Sequence, residues 1–260
     1  MSFVSDFYGT TVGKKLTMAA TGLILVGFVV GHMVGNLKIF MGVNPATGHY
    51  KLDDYAFFLH HMGADLMGHE GVLWMVRVVL LGAVVLHAIS GIQLARLNRR
   101  AKPIGYQVKR TQSANAASKT MIYGGLFLIA FIVFHLLHFT TGHVHTNGFV
   151  EGEVYSNVWK GFQSPIAVGF YVVAMAALSL HLYHGTWSMF QTLGVDTPRW
   201  NAGIRAAAKV LAVVLFFGFS AVPISVATGV LKVPDEAVSS AIHTLYAPYV
   251  GEVQGGHAGK

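Results

Sequence analysis

The sequence predicts an all-α membrane protein, a bundle of five transmembrane helices with the N-terminus in the cytoplasm and the C-terminus outside. Three observations predict it. The 260 residues are 53% hydrophobic and 11% charged, whereas a soluble domain carries about 25% charged residues. Five apolar stretches approach or exceed the length of about 20 residues that a span requires; they run near 16–41, 71–95, 119–142, 165–193 and 204–231. Lys and Arg gather in alternate connections between these stretches, which is the charge pattern of topology. The net charge of +7 is therefore no sign of a nucleic-acid partner. The chain has no cysteine, so it holds no disulfide and no iron–sulfur cluster of its own.

The elements follow in order. Lys14 and Lys15 precede the first stretch, whose apolar run is too long for the 7–15-residue core of a signal peptide. The connection 42–70 opens on a turn at Pro45 and Gly48 and carries Asp53, Asp54, Asp65 and Glu70. The second stretch is followed by Arg96, Arg99, Arg100, Lys102, Lys109, Arg110 and Lys119. The third leads into a connection, about 143–164, with Glu151 and Glu153. Arg199, Arg205 and Lys209 separate the fourth from the fifth. Residues 1–231 thus form the transmembrane domain, and 232–260 an outer tail with Asp235, Glu236 and Glu252 and one short apolar stretch, Ile242–Tyr249, read as a surface helix. The basic connections face the cytoplasm and the acidic ones the outside. His49, His60, His61, His69, His143 and His145 fall in the outer connections. They read as solvated loop residues, because they lack the tight spacing of a zinc site.

Four other histidines, His32, His87, His135 and His181, lie deep in four different stretches. An ionisable group in the membrane is a functional hypothesis by default, and an imidazole pair suits haem iron. At 1.5 Å per residue, His32 and His135 lie roughly 22–24 Å from the inner face, and His87 and His181 roughly 14–18 Å. Two levels result, pairing His32 with His135 and His87 with His181. His138 and His184 sit one turn away and compete for these places; His184 fits the inner level slightly better. Gly27, Gly31 and Gly35 flank His32, Gly91 follows His87 by four residues, and Gly185 follows His181 by four. Such glycines share the histidine's face and leave a recess for a macrocycle. Packing of small residues between helices explains those near His32 equally well. A histidine-relay transporter and a purely structural anchor are the readings from other classes.

The residues resemble a known family, the cytochrome b membrane anchor of succinate:quinone oxidoreductase (succinate dehydrogenase or fumarate reductase, complex II), in its single-subunit, five-helix, di-haem form. The matching stretches are Val29-Val-Gly-His32-Met-Val-Gly-Asn36, Leu86-His87-Ala-Ile-Ser-Gly91, Val133-Phe-His135, Gly169-Phe-Tyr171, His181-Leu-Tyr-His-Gly185-Thr-Trp187-Ser188 and Gly194-Val-Asp-Thr-Pro198-Arg199. They extend over about residues 5–230.

The resemblance implies two haem b groups, a proximal one on His87 and His181 and a distal one on His32 and His135. It selects His135 over His138 and His181 over His184. It implies a flavoprotein subunit with FAD and an iron–sulfur subunit docked on the cytoplasmic face, where succinate is oxidised or fumarate reduced. It further implies a membrane quinone, menaquinone in the two-haem form, and a place in a bacterial cytoplasmic membrane as a multi-pass protein, with a higher oligomer of the complex compatible. Candidate partners for quinone or haem propionates are Asn36, Asp65, Glu70, Arg77, His138, His143 and His184; Arg77 serves equally well as a residue snorkelling to the outer interface. The nearest rival is a di-haem cytochrome b anchor of another respiratory enzyme, of the nitrate-reductase or hydrogenase type. In the nitrate-reductase kind two helices carry all four ligands, whereas here four share them.

Overall fold

The computed structural model of the chain describes residues 3–101, 116–145 and 147–242. Lys102, Lys109, Arg110, Glu252 and nearly all of the Ile242–Tyr249 stretch lie outside the described residues. Among the described residues the chain is helical, and the only extended pairing is an isolated bridge between Val43 and Tyr50. The helices are α1 (Phe3–Gly9), α2 (Thr11–Asn36, continued by a 3-10 turn, Leu37–Met41), α3 (Lys51–His61), α4 (Ala64–Met67), α5 (Gly71–Arg100), α6 (Ala116–Phe139), α7 (Val154–Gly161), α8 (Pro165–Thr192) and α9 (Asn201–Ala227). Five of the segments are long and apolar enough to cross a membrane: Thr11–Met41, Gly71–Arg100, Met121–Phe139, Pro165–Thr192 and Asn201–Ala227.

The ends differ from the sequence expectation for local reasons. α5 continues past residue 95 to Arg100 because arginine is a good helix former. α6 stops at Phe139, not 142, where Gly142 takes φ +70°. α9 stops at Ala227, not 231, before Gly229 at φ +72°. A left-handed residue is the usual helix stop, and glycine adopts it without a Cβ penalty. α8 ends the same way: Gly194 has φ +73°, and the Val195 N–H reaches back to Phe190 O at 3.0 Å.

The chain divides into two compact units. The first comprises Met1–Gly31, Met75–Phe131 and Val173–Phe217; the second comprises His32–Trp74, Ile132–Val172 and Gly218–Lys260. In the first unit, Lys14 Nζ donates to Tyr8 O at 2.7 Å and Gly9 O at 2.9 Å, placing a cation on the last carbonyls of α1. Tyr8 and Ser90 hydroxyls meet at 3.1 Å. Ser179 Oγ donates to Ala212 O at 2.5 Å, tying α8 to α9.

In the second unit α3 and α7 pack together. Tyr50 and Tyr155 stack with ring centres 3.8 Å apart and planes 4° from parallel. The Tyr155 hydroxyl donates to Lys232 O at 3.0 Å, and the Asp235 N–H donates to the Tyr50 hydroxyl at 2.9 Å. The stretch after Leu231 is therefore tied into this unit: residues 236–242 are helical, and Ile242 is fully buried. Asp53, 1% exposed, accepts the Tyr155 N–H at 2.8 Å on Oδ1, capping the first turn of α7 from another helix. Its Oδ2 has no partner. Burial pushes the Asp53 carboxyl up to about 7, against the pull of the Tyr155 and Val154 N–H groups and with help from Glu153 and Asp54.

Candidate functional site

Each compact unit contains one pair of facing histidines. In the first, His87 on α5 and His181 on α8 have ring centres 6.1 Å apart with planes at 60°. In the second, His32 on α2 and His135 on α6 have ring centres 5.9 Å apart with planes at 83°. The competing histidines point elsewhere. His184 stands against Trp187 with ring centres 5.9 Å apart, and His138 stands against His145 at 5.3 Å.

The surroundings of the pairs bear on what they can hold. His87 Nδ1 lies 3.2 Å from both Met18 O and Thr21 Oγ1, so its hydrogen has acceptors on α2. His135 Nδ1 lies 3.2 Å from the Tyr171 hydroxyl. A metal-ligating histidine nearly always gives its second ring N–H to such an oxygen, which fixes the tautomer and leaves Nε2 for the metal. His181 Nδ1 is buried with no hydrogen-bond partner. Two glycines lie against the rings: a Cβ on Gly125 would be in ordinary contact with His181 Cε1 at 3.6 Å, and one on Gly22 with His87 Cε1 at 3.4 Å. A Cβ on Gly185 would meet nothing within 4 Å, so its recess is open, whereas Gly91 faces Met18 Sδ at 3.7 Å.

These residues fit a bis-imidazole haem. His87 with His181, and His32 with His135, would hold such a group between rings whose centres lie 6.1 Å and 5.9 Å apart. That spacing also suits an ordinary ring contact, so the Nδ1 partners of His87 and His135 carry the fit. A two-histidine set suits a metal that brings its remaining ligands with it, as haem iron does. Among the described residues no group of three or more His, Asp or Glu side chains is placed to hold a bare metal ion.

The other candidates are dispersed. Asn36 Nδ2 donates to His32 O at 2.7 Å, spending its amide on its own helix. Asp65 and His143 are exposed, and Arg77 is half-buried. His138 is 2% exposed, and its Nδ1 lies 3.1 Å from the same Tyr171 hydroxyl that meets His135. Glu70 is the most constrained: its φ of +59° is left-handed, its N–H donates to His60 O at 2.9 Å, and its Oε1 meets His60 Nδ1 at 2.6 Å. A non-glycine residue in that conformation marks a place the surroundings over-determine.

The histidines of the connections 42–70 and 143–164 are more engaged than solvated loop residues. His49 is buried and meets Asp54 at 3.2 Å; His145 Nε2 donates to Asn157 O at 2.9 Å; His61 Nδ1 meets Phe57 O at 2.8 Å. Only His69 and His143 of the six are exposed. Sequence reasoning missed Thr21 and Tyr171, which support the paired rings from neighbouring helices. Tyr171 lay in one of the resembling stretches, but nothing in the spacing aimed it at His135.

Comparison with family models, with characterised proteins and with solved structures finds no match to this chain.

Proposed function

We propose that this protein is the di-haem cytochrome b anchor of a succinate:quinone oxidoreductase in a bacterial cytoplasmic membrane, with its N-terminus and basic connections on the cytoplasmic side. The observation that carries the reading is the pair of facing imidazole couples drawn from four separate spanning helices. Haem iron held at both couples would supply one-electron transfer between a docked iron–sulfur subunit and a membrane quinone, menaquinone in this form.

The chain's own residues do the rest. His87 with His181, and His32 with His135, are the ligands. Thr21 with the Met18 carbonyl, and the Tyr171 hydroxyl, fix two of these rings by their Nδ1 atoms. Gly22 and Gly125 lie against the His87 and His181 rings. Glu70 and His60 hold a proton between Oε1 and Nδ1 at 2.6 Å, a group suited to proton exchange with quinone. FAD, the clusters and the dicarboxylate chemistry belong to the partner subunits.

The test is a reduced-minus-oxidised spectrum of the purified protein, a pyridine haemochrome assay and identification of the subunits that purify with it. The expected result is two non-covalent b haems per chain and co-purifying flavin- and iron–sulfur-containing subunits. A haem count near zero or one, or partners of another enzyme class, overturns the reading.

A further inference from the structure

Outside the histidine pairs, the first unit has a groove of about 410 Å³ between α8 and α9, lined by Ser179, Tyr183, Lys209, Val213, Phe216 and Phe217, among others. The two helices run antiparallel here, and their residues pair in steps of about one turn, roughly 6 Å each. The Arg205 guanidinium lies over the Trp187 ring, 3.6 Å from its centre. Trp and Arg together are an interfacial anchor, so this step marks the headgroup level. One turn deeper, Tyr183 on α8 and Lys209 on α9 line the groove. One turn deeper again, the Ser179–Ala212 hydrogen bond joins the helices. Beyond it the lining is Val213, Phe216 and Phe217, on the same face of α9 as Lys209.

Lys209 sits well inside a candidate span and forms no ion pair with any described carboxylate. A helical side chain leans toward the helix N-terminus. Nine residues into α9, the Lys209 ammonium therefore reaches back toward the Trp187–Arg205 level, as a snorkelling lysine does. The groove thus has a cation and a phenol at its headgroup end and apolar walls along the rest of its length. Basic pockets between spanning helices are binding places for anionic lipid headgroups.

We propose that this groove is a binding site for an anionic diacyl phospholipid, one acyl chain lying along Val213, Phe216 and Phe217 and the phosphate meeting Lys209 and the Tyr183 hydroxyl. The lipid comes from the leaflet that faces the N-terminal end of α9. The site is independent of the haem reading, since none of its residues belongs to either histidine pair.

The experiment uses the full chain in nanodiscs of phosphatidylcholine containing a minority of phosphatidylglycerol, followed by mild extraction and native mass spectrometry. Phosphatidylglycerol should be retained at one molecule per chain, enriched about five-fold over its share of the bilayer, the effect of one lysine at an anionic headgroup. Lys209→Gln should abolish the enrichment and Lys209→Arg should keep it. Val213→Trp should expel the lipid with Lys209 still present. An unchanged helical circular-dichroism spectrum checks that the variants are folded. Equal retention of the two lipids by the unaltered chain, persistent enrichment in Lys209→Gln, or quinone in place of phospholipid overturns the proposal. A chain that lacks haem but shows the lysine-dependent enrichment overturns the proposed function and leaves this site standing.

Discussion

Replacing Asp53 with Asn should change how stability depends on pH between pH 5 and 8. The carboxyl is 1% exposed, with one oxygen accepting the Tyr155 N–H and the other unpartnered. Burial raises it from 3.8 to about 7. The folded state therefore holds a proton that the unfolded chain has released, so the stability present at low pH is lost as pH rises from about 4 to about 7. A shift of that size, at about 1.36 kcal/mol per unit, is worth about 4 kcal/mol in full, of which about 3 kcal/mol falls between pH 5 and 8. For a chain of this length that is of order 5–10 °C in unfolding midpoint. Asparagine keeps the oxygen that accepts from Tyr155 and cannot ionise. Thermal unfolding of the purified protein, followed by circular dichroism at pH 5, 6, 7 and 8, should show Asp53→Asn gaining stability relative to the unaltered chain as pH rises. Glu153 and Asp54 face the same carboxyl, and they stay in both proteins, so the difference between the two curves isolates Asp53. If the two proteins lose stability in parallel, the buried carboxyl is not the source.

Three further outcomes test the proposed function. His87→Leu and His181→Leu should each remove one redox component, and His32→Leu and His135→Leu the other; a redox titration in which the His32 and His87 variants lose the same component refutes the pairing. Thr21→Val removes one of the two oxygens at His87 Nδ1 and should shift the potential of the His87 component alone, by of order 40 mV for about 1 kcal/mol of hydrogen bonding; an equal shift in both components argues against it. If quinone is reduced near the outer face, an electron crossing outward gains about 2.3 kcal/mol per 100 mV. Succinate-driven menaquinone reduction in sealed vesicles should then slow when a protonophore collapses the potential, and equal rates eliminate an outer quinone site.

Much of the architecture is written in hydropathy, because a bilayer demands long runs of apolar residues whatever the neighbours do. The expected spans and the structural ones share their cores and differ by a few residues at the ends. Those ends depend on weaker signals, such as an arginine run that prolongs α5 and single left-handed glycines that stop α6 and α9. The short helices α3 and α7 were invisible. What holds them is the Tyr50–Tyr155 stack and the Asp53 cap, contacts across about a hundred residues of chain that leave no local period. The ring pairing was legible because an α-helix is a ruler, and depth along it follows from counting. The supports were not, because counting gives depth but not which neighbouring helix turns Thr21 or Tyr171 toward a given imidazole. Nor could spacing show that Glu70 folds back onto His60, since that bracket depends on a left-handed residue no pattern requires.

The Tyr171 hydroxyl, within 3.2 Å of two imidazoles, has only one hydrogen to give. At least one of the two rings must therefore carry its own hydrogen on Nδ1. Under the proposed function, ligation through Nε2 would make His135 that ring. The Tyr171 hydroxyl would then donate to His138 Nδ1, and His138 would carry its own hydrogen on Nε2. Binding at His135 would thus decide the tautomer of His138 as well. The two rings share one bookkeeping of protons, and Tyr171→Phe would separate the accounts.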